Sequence, residues 1–84
     1  MRLIFSQNAW EDYSYWQKTD RKIHLRINEL ILDIQRNRYQ GIGKPEPLRH
    51  NLAGYWSRRI SKQHRIVYKI EGDRVLIAQV RYHY

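Results

Sequence analysis

Eighty-four residues with no cysteine allow one domain with one modest core, near the small end of what folds without staples, and exclude disulfides and thiolate metal sites. Sixteen Lys+Arg against eight Asp+Glu, a net charge of +8 and a pI near 10.1 favour a polyanionic partner. The opening MRLIFSQNAW has one short apolar run, too little for a signal peptide or membrane span, so a soluble protein of the reducing cytoplasm, with no membrane partner, is expected.

The charge is unevenly spread. Residues 1–43 hold seven basic and five acidic side chains, whereas residues 44–84 hold nine and three, so +6 of the +8 falls in the second half. An acidic protein partner or plain solubility would explain the same excess.

Arg2 to Phe5 reads as a short first strand, and Ser6 can cap a following helix through its hydroxyl. Ala9, Tyr13 and Trp16 then recur at helical spacing, with Glu11 and Asp12 near the N-terminal end where the helix dipole favours them. Thr19 and Asp20 interrupt this helix and can cap a second. In it Ile23, Ile27, Leu30, Ile31 and Ile34 form the clearest amphipathic pattern of the chain. Each of these, fully buried, contributes roughly 1.5 to 3 kcal/mol, so the helix is expected to pack on a sheet. Trp10, Tyr13 and Trp16 are read as core rather than as a stacking platform.

From Asn37 to Leu52 the periodicity gives way to RYQGIGKPEPLRHN, read as a loop. GIGK does not make a phosphate-binding loop: that pattern needs four residues between its first glycine and the Gly-Lys pair and a hydroxyl residue next, where this chain has Pro45.

Three β-rich stretches follow, Tyr55 to Ile60, His64 to Ile70 and Arg74 to Tyr84, with Gly72 in a turn between the last two. Side chains alternate along a strand. Ile66, Tyr68 and Ile70 therefore share one face and Arg65, Val67 and Lys69 the other. In the last strand Leu76, Ala78, Val80 and Tyr82 are expected on the core side, with Gln79, Arg81 and His83 opposite. Arg59, Arg65, Arg81 and His83 would then converge on one solvated face, a poor core and a good phosphate site. The fold class expected is α+β, two N-terminal helices packed on a small antiparallel sheet in a single domain spanning residues 1–84.

Five carboxylates fall on the helices or their caps, and Glu71 and Asp73 bracket the Gly72 turn. Glu46 alone sits in the basic segment, its backbone restricted by Pro45 and Pro47, with Lys44 and Arg49 nearby to favour its charged form. His24, His50, His64 and His83 show no metal-ligand spacing, so neither a metal nor another cofactor is expected. If RNA is cut here, metal-free chemistry suits the inventory: a base for the 2′-hydroxyl proton, a cation for the phosphorane-like charge and an acid for the departing 5′-oxygen. Arg65 can clamp a phosphate and His83 can serve as the acid.

Taken together, WEDYSYWQKTD, INELI, GIGKPEPL, GYWSRRI, HRIVY and the terminal RYHY closely resemble the Txe/YoeB toxins of the RelE superfamily, the bacterial mRNA interferases, over the full length. The resemblance implies a RelE-like, microbial ribonuclease-like domain that cuts mRNA in the ribosomal A site of the small subunit. It also implies neutralisation by a cognate YefM/Phd-type antitoxin, and a homodimer. By position it makes Glu46 the general base, Arg65 the transition-state cation and His83 the general acid. Tyr84 would organise site and substrate, Arg59 would contact phosphate or RNA, and Lys44 and Arg49 would bind RNA. Arg49 stands where a lysine is usual, and Phe5 where tryptophan is common. Two other functions fit the composition alone: a non-catalytic RNA-binding or ribosome-binding module that blocks translation by occupancy, and a protein-interaction domain.

Overall fold

The computed structural model describes residues 1–82. Strand β1 (Arg2–Phe5) leads into helices α1 (Gln7–Thr19) and α2 (Arg21–Asn37), followed by β2 (Glu46–Pro47), a 3-10 turn (His50–Leu52), β3 (Trp56–Arg59), β4 (Arg65–Glu71) and β5 (Arg74–Gln79). The strands form one sheet in the order β1-β5-β4-β3-β2. Neighbours are antiparallel except β1 and β5, which run parallel because the two helices form the crossover between the first strand and the sheet.

The helix starts follow the sequence. Ser6 Oγ accepts from the Ala9 amide and Asp20 accepts from the Ile23 amide, each satisfying an N–H that the first turn leaves without a helical partner. From α2, Ile27, Leu30, Ile31 and Ile34 are buried against Ile66, Tyr68, Val75 and Ile77 of the sheet, with Ile23 at the margin. The helices thus cover one face of the sheet, and the other carries Ser57 and Arg59 of β3 and Arg65, Lys69 and the buried Val67 of β4.

Three expectations need correction. Trp10 is 53% exposed rather than core, because Ala9 occupies the inward position of that turn; the Trp10 ring lies outside it, stacked on Tyr13 and edge-on to Phe5. The last strand stops at Gln79 rather than running on to Tyr84. Its inward residues are Val75, Ile77 and then Val80, not the Leu76–Ala78–Val80 series. A bulge explains the change: Tyr68 pairs with Ile77 but Val67 with Gln79, so Ala78 is an extra residue that shifts the alternation by one. The expected parity holds after the bulge and is inverted before it.

The loop after α2 is not wholly irregular, since Glu46 and Pro47 join the sheet as its edge. Proline is tolerated there because an edge strand has one side with no ladder partner.

Candidate active site

Register brings the first site residues together. Glu46 lies opposite Ser57, and Arg59 opposite Arg65, so all four side chains project from the helix-free face. Arg65 reaches diagonally across β3: its Nη1 donates to Ser57 Oγ at 2.9 Å and lies 3.2 Å from Glu46 Oε1. The pair is unequal in exposure. The Arg65 side chain is 12% exposed and that of Glu46 48%, so the glutamate is about half solvent-facing while the arginine is mostly covered.

Glu46 reaches this position because the GIG turn hugs the core. A Cβ on Gly43 would lie 2.8 Å from Leu30 Cδ2 and 3.1 Å from the Arg59 carbonyl oxygen, and φ there is +81°. Glycine removes both conflicts, and the Arg59 amide donates to the Gly43 carbonyl at 2.6 Å. Lys44 follows with φ +52° and an exposed side chain, and Pro45 then restricts the approach to Glu46. Beyond Glu46, the segment to Leu52 lines an open cleft of about 460 Å³ whose wall includes Arg49, also exposed.

A residue not singled out from the sequence holds this turn in place. Arg58 projects to the helix side of β3 and is fully buried. It pairs with Asp33 of α2 and donates to the carbonyls of Arg38, Gln40 and Ile42, while Tyr68 Oη donates to the Arg38 carbonyl at 2.6 Å. Asp33 also accepts from the Ile42 amide. The hydrogen bond from Arg58 holds the Asp33 carboxyl below the ordinary carboxylate range, with burial opposing it. Burial pushes the Tyr68 phenol up, with Arg58 opposing. Strand alternation was the available signal: with Arg59 outward, Arg58 must face the core, where a charge requires partners.

Arg81 does not join Arg59 and Arg65 on the helix-free face. Its guanidinium lies 3.9 Å from the centre of the Tyr15 ring of α1, and it donates to Tyr82 Oη. The chain has left the ladder by this point, so strand parity no longer governs it. Asp12 lies in the same neighbourhood, its carboxyl raised by burial against the opposing pull of Arg81.

His83 and Tyr84 lie outside the described residues. Their predecessor is placed, however: the Tyr82 carbonyl accepts from the Arg65 amide at 3.1 Å, and the Tyr82 amide donates to His64 Nδ1 at 2.8 Å. The chain therefore enters its last two residues from a point hydrogen-bonded to the backbone of Arg65. Among the described residues no group of three or more His, Asp or Glu side chains is arranged to hold a metal ion, and no helix is long and apolar enough to cross a membrane.

A carboxylate beside an arginine, with a second arginine alongside, can accept a proton from a hydroxyl and bind the phosphate next to it. Residues 5–84 match the family described as YoeB-like toxin of bacterial type II toxin-antitoxin system. Toxin YoeB of Escherichia coli strain K12 is 57% identical over 84 residues, with 100% of each chain covered. Among solved structures, a YoeB/ParE toxin from Agrobacterium tumefaciens superposes with a TM-score of 0.98 at 45% identity, again with 100% of both chains covered. A YoeB dimer from Staphylococcus aureus gives 0.94 at 48% identity, and the toxin in a heterotetrameric YoeB-YefM toxin-antitoxin complex from that organism gives 0.93 at 48%; each covers 100% of this chain and 98% of the other.

Proposed function

Because the chain belongs to the YoeB-like toxins of bacterial type II toxin-antitoxin systems, we propose that it is a ribosome-dependent endoribonuclease that cuts mRNA in the A site by metal-independent acid-base catalysis. The observation that supports this most is the Glu46–Arg65 pair on the helix-free face, 3.2 Å apart, with Arg59 in register beside it.

In the proposed reaction Glu46 takes the proton of the substrate 2′-hydroxyl, and the 2′-oxygen bonds to phosphorus. Arg65 meets the negative charge that grows on the phosphoryl oxygens, a role suited to a guanidinium already oriented by Ser57. The bond from phosphorus to the 5′-oxygen breaks, and that oxygen takes a proton from His83. The upstream fragment then ends in a 2′,3′-cyclic phosphate, which water opens to a 3′-phosphate. At rest Glu46 offsets the charge of Arg65; an arriving phosphate supplies a second anion to the guanidinium, leaving the carboxylate beside the 2′-hydroxyl. Arg59, Lys44 and Arg49 supply positive charge along the path of the backbone, and Tyr84 contributes at the terminus.

A YefM-type antitoxin is the proposed partner, and a homodimer the proposed assembly, supported by the complexes and dimer of its relatives. Cytoplasmic action follows from the ribosomal substrate. The test is to mix purified protein with translating ribosomes and map the fragment ends. Cuts at A-site codons with cyclic or 3′-phosphate ends, persisting with EDTA where ribosomes stay intact, are expected. Upstream 3′-hydroxyl ends would overturn the chemistry, and salt-sensitive ribosome binding with no broken RNA would favour occupancy instead.

A further inference from the structure

Past Gln79 the chain leaves the sheet, yet Val80, Arg81 and Tyr82 are each held by hydrogen bonds. The Trp16 indole N–H donates to the Val80 carbonyl at 2.9 Å, and Gln79 Nε2 donates to the carbonyls of Arg81 and Tyr82. Tyr82 itself has φ +61°, a backbone conformation that side chains larger than glycine rarely adopt. Such a conformation persists only where its surroundings fix it. Here they do so on both sides of the residue: the Arg65 amide holds its carbonyl, and His64 Nδ1 holds its amide.

His64 is built for that contact. The turn joining β3 to β4 closes on its backbone, with the Ile60 amide donating to the His64 carbonyl at 2.9 Å and the His64 amide donating to Ser61 Oγ at 3.2 Å. Its ring is buried, edge-on to Trp16 with centroids 4.7 Å apart, and faces the Tyr82 ring at 5.4 Å. An Nδ1 that accepts a hydrogen bond carries no proton, so the neutral ring has its proton on Nε2.

We propose that His64 is a positioning residue for the cleavage reaction: by accepting the Tyr82 amide it ties the backbone of the residue that precedes His83, the proposed general acid, to the start of β4 beside Arg65, the proposed transition-state cation. This rests on the nuclease reading. It assigns His64 no proton transfer and no contact with RNA. The requirement is for an acceptor atom at the Nδ1 position, not for an imidazole as such. Asparagine can place Oδ1 near that position, whereas phenylalanine keeps the ring contact with Trp16 and offers no acceptor.

The experiment compares wild type, His64→Asn and His64→Phe in single-turnover cleavage on programmed ribosomes, each variant first shown folded by thermal melting. His64→Phe is expected to cut about 10- to 100-fold more slowly at saturation, the scale of effect of small misplacements of reacting groups. Its half-saturating ribosome concentration should not change. His64→Asn should recover most of the rate. Full activity in His64→Phe, or equal loss in both variants, overturns the proposal, as does a loss that appears only as weaker ribosome binding. A second readout does not depend on activity. In ¹⁵N-labelled wild type, coupling across the N–H···N bond between the Tyr82 amide nitrogen and His64 Nδ1 should be seen, and a folded protein lacking it also overturns the proposal. If wild type itself fails to cut while the coupling is present, the nuclease reading has failed and the clamp stands as structure alone, without the catalytic role.

Discussion

Arg58 and Arg65 sit on adjacent strands of one sheet and face opposite sides of it. Arg58, fully buried on the helix side, is surrounded by Asp33, three loop carbonyls and the Tyr68 hydroxyl, a set that supplies an acceptor for each of its donors from groups of this chain. Arg65 donates to a serine hydroxyl and pairs with the half-exposed carboxylate of Glu46. The same side chain therefore serves architecture on one face and, in the function proposed above, meets the phosphate on the other. Net charge alone cannot make that distinction; strand parity can.

The sharpest way to break the comparison is to remove Arg58. Arg58→Met keeps much of the side-chain volume but leaves Asp33 without its counter-ion and the carbonyls of Gln40 and Ile42 without the donor that Arg58 supplies. Breaking a buried pair from one side typically costs about 3 to 5 kcal/mol. A large fall in denaturant midpoint, with activity lost along with the fold, is expected. A variant of unchanged stability would show that the turn delivering Glu46 is held by something else.

Arg65→Lys is the matching change on the other face. It should move the melting midpoint little, yet slow cleavage about 10²- to 10³-fold, the range for losing one oriented donor to a developing anion. Single-turnover rates beside thermal melts separate the two. Parallel loss of rate and stability would place Arg65 in the same structural class as Arg58.

Acid titration gives a smaller effect. The Asp33 carboxyl is held low by Arg58, so its stabilising contribution is fully present above the unfolded aspartate value of about 3.9 and is lost as pH falls through the lower folded value. Asp12 acts in the opposite sense: burial raises its folded value, and protonation relieves that cost. Subtracting Asp33→Asn from wild type removes the Asp12 part. The stability advantage of wild type over Asp33→Asn should be constant near neutrality and shrink below about pH 4, as followed by urea unfolding at each pH. An advantage that stays constant down to pH 2 would mean the ion pair contributes nothing.

How much of this was legible depended on whether a residue obeyed a period. α2 was fully readable because five aliphatic residues repeat on one helical face, and both caps were readable because Ser6 and Asp20 precede them. The alternation of β3 and β4 put Arg59 and Arg65 on one face correctly. β2 was not readable, since two residues have no period and its pairing is set by the approach of Gly43 to Leu30 and Arg59. The bulge at Ala78 is equally silent in sequence, which is why Leu76 and Ala78, rather than Val75 and Ile77, were expected on the core side. The hold on Tyr82 was hidden for another reason: it joins His64 to a residue eighteen positions away through a backbone amide that carries no side-chain signature.

The mildest test repeats the arginine-to-lysine change where the surroundings differ. Arg49 is exposed at the wall of the cleft beside Glu46, so its guanidinium is expected to act as a solvated charge. Lysine keeps the charge and loses only the planar fork, which matters where two oriented hydrogen bonds are made at once. Arg49→Lys should therefore leave stability within about 0.5 kcal/mol, as for most surface changes. It should alter the cleavage rate by no more than about threefold, since a solvated point charge holds phosphate without fixed geometry. Measured beside Arg65→Lys in the same ribosome assay, the ratio of the two effects reports how far orientation, rather than charge, determines what an arginine on this face does. A loss at Arg49 as large as that at Arg65 would mean that the cleft closes on RNA and gives Arg49 an oriented phosphate contact, extending the reactive arrangement beyond the Glu46–Arg65 pair.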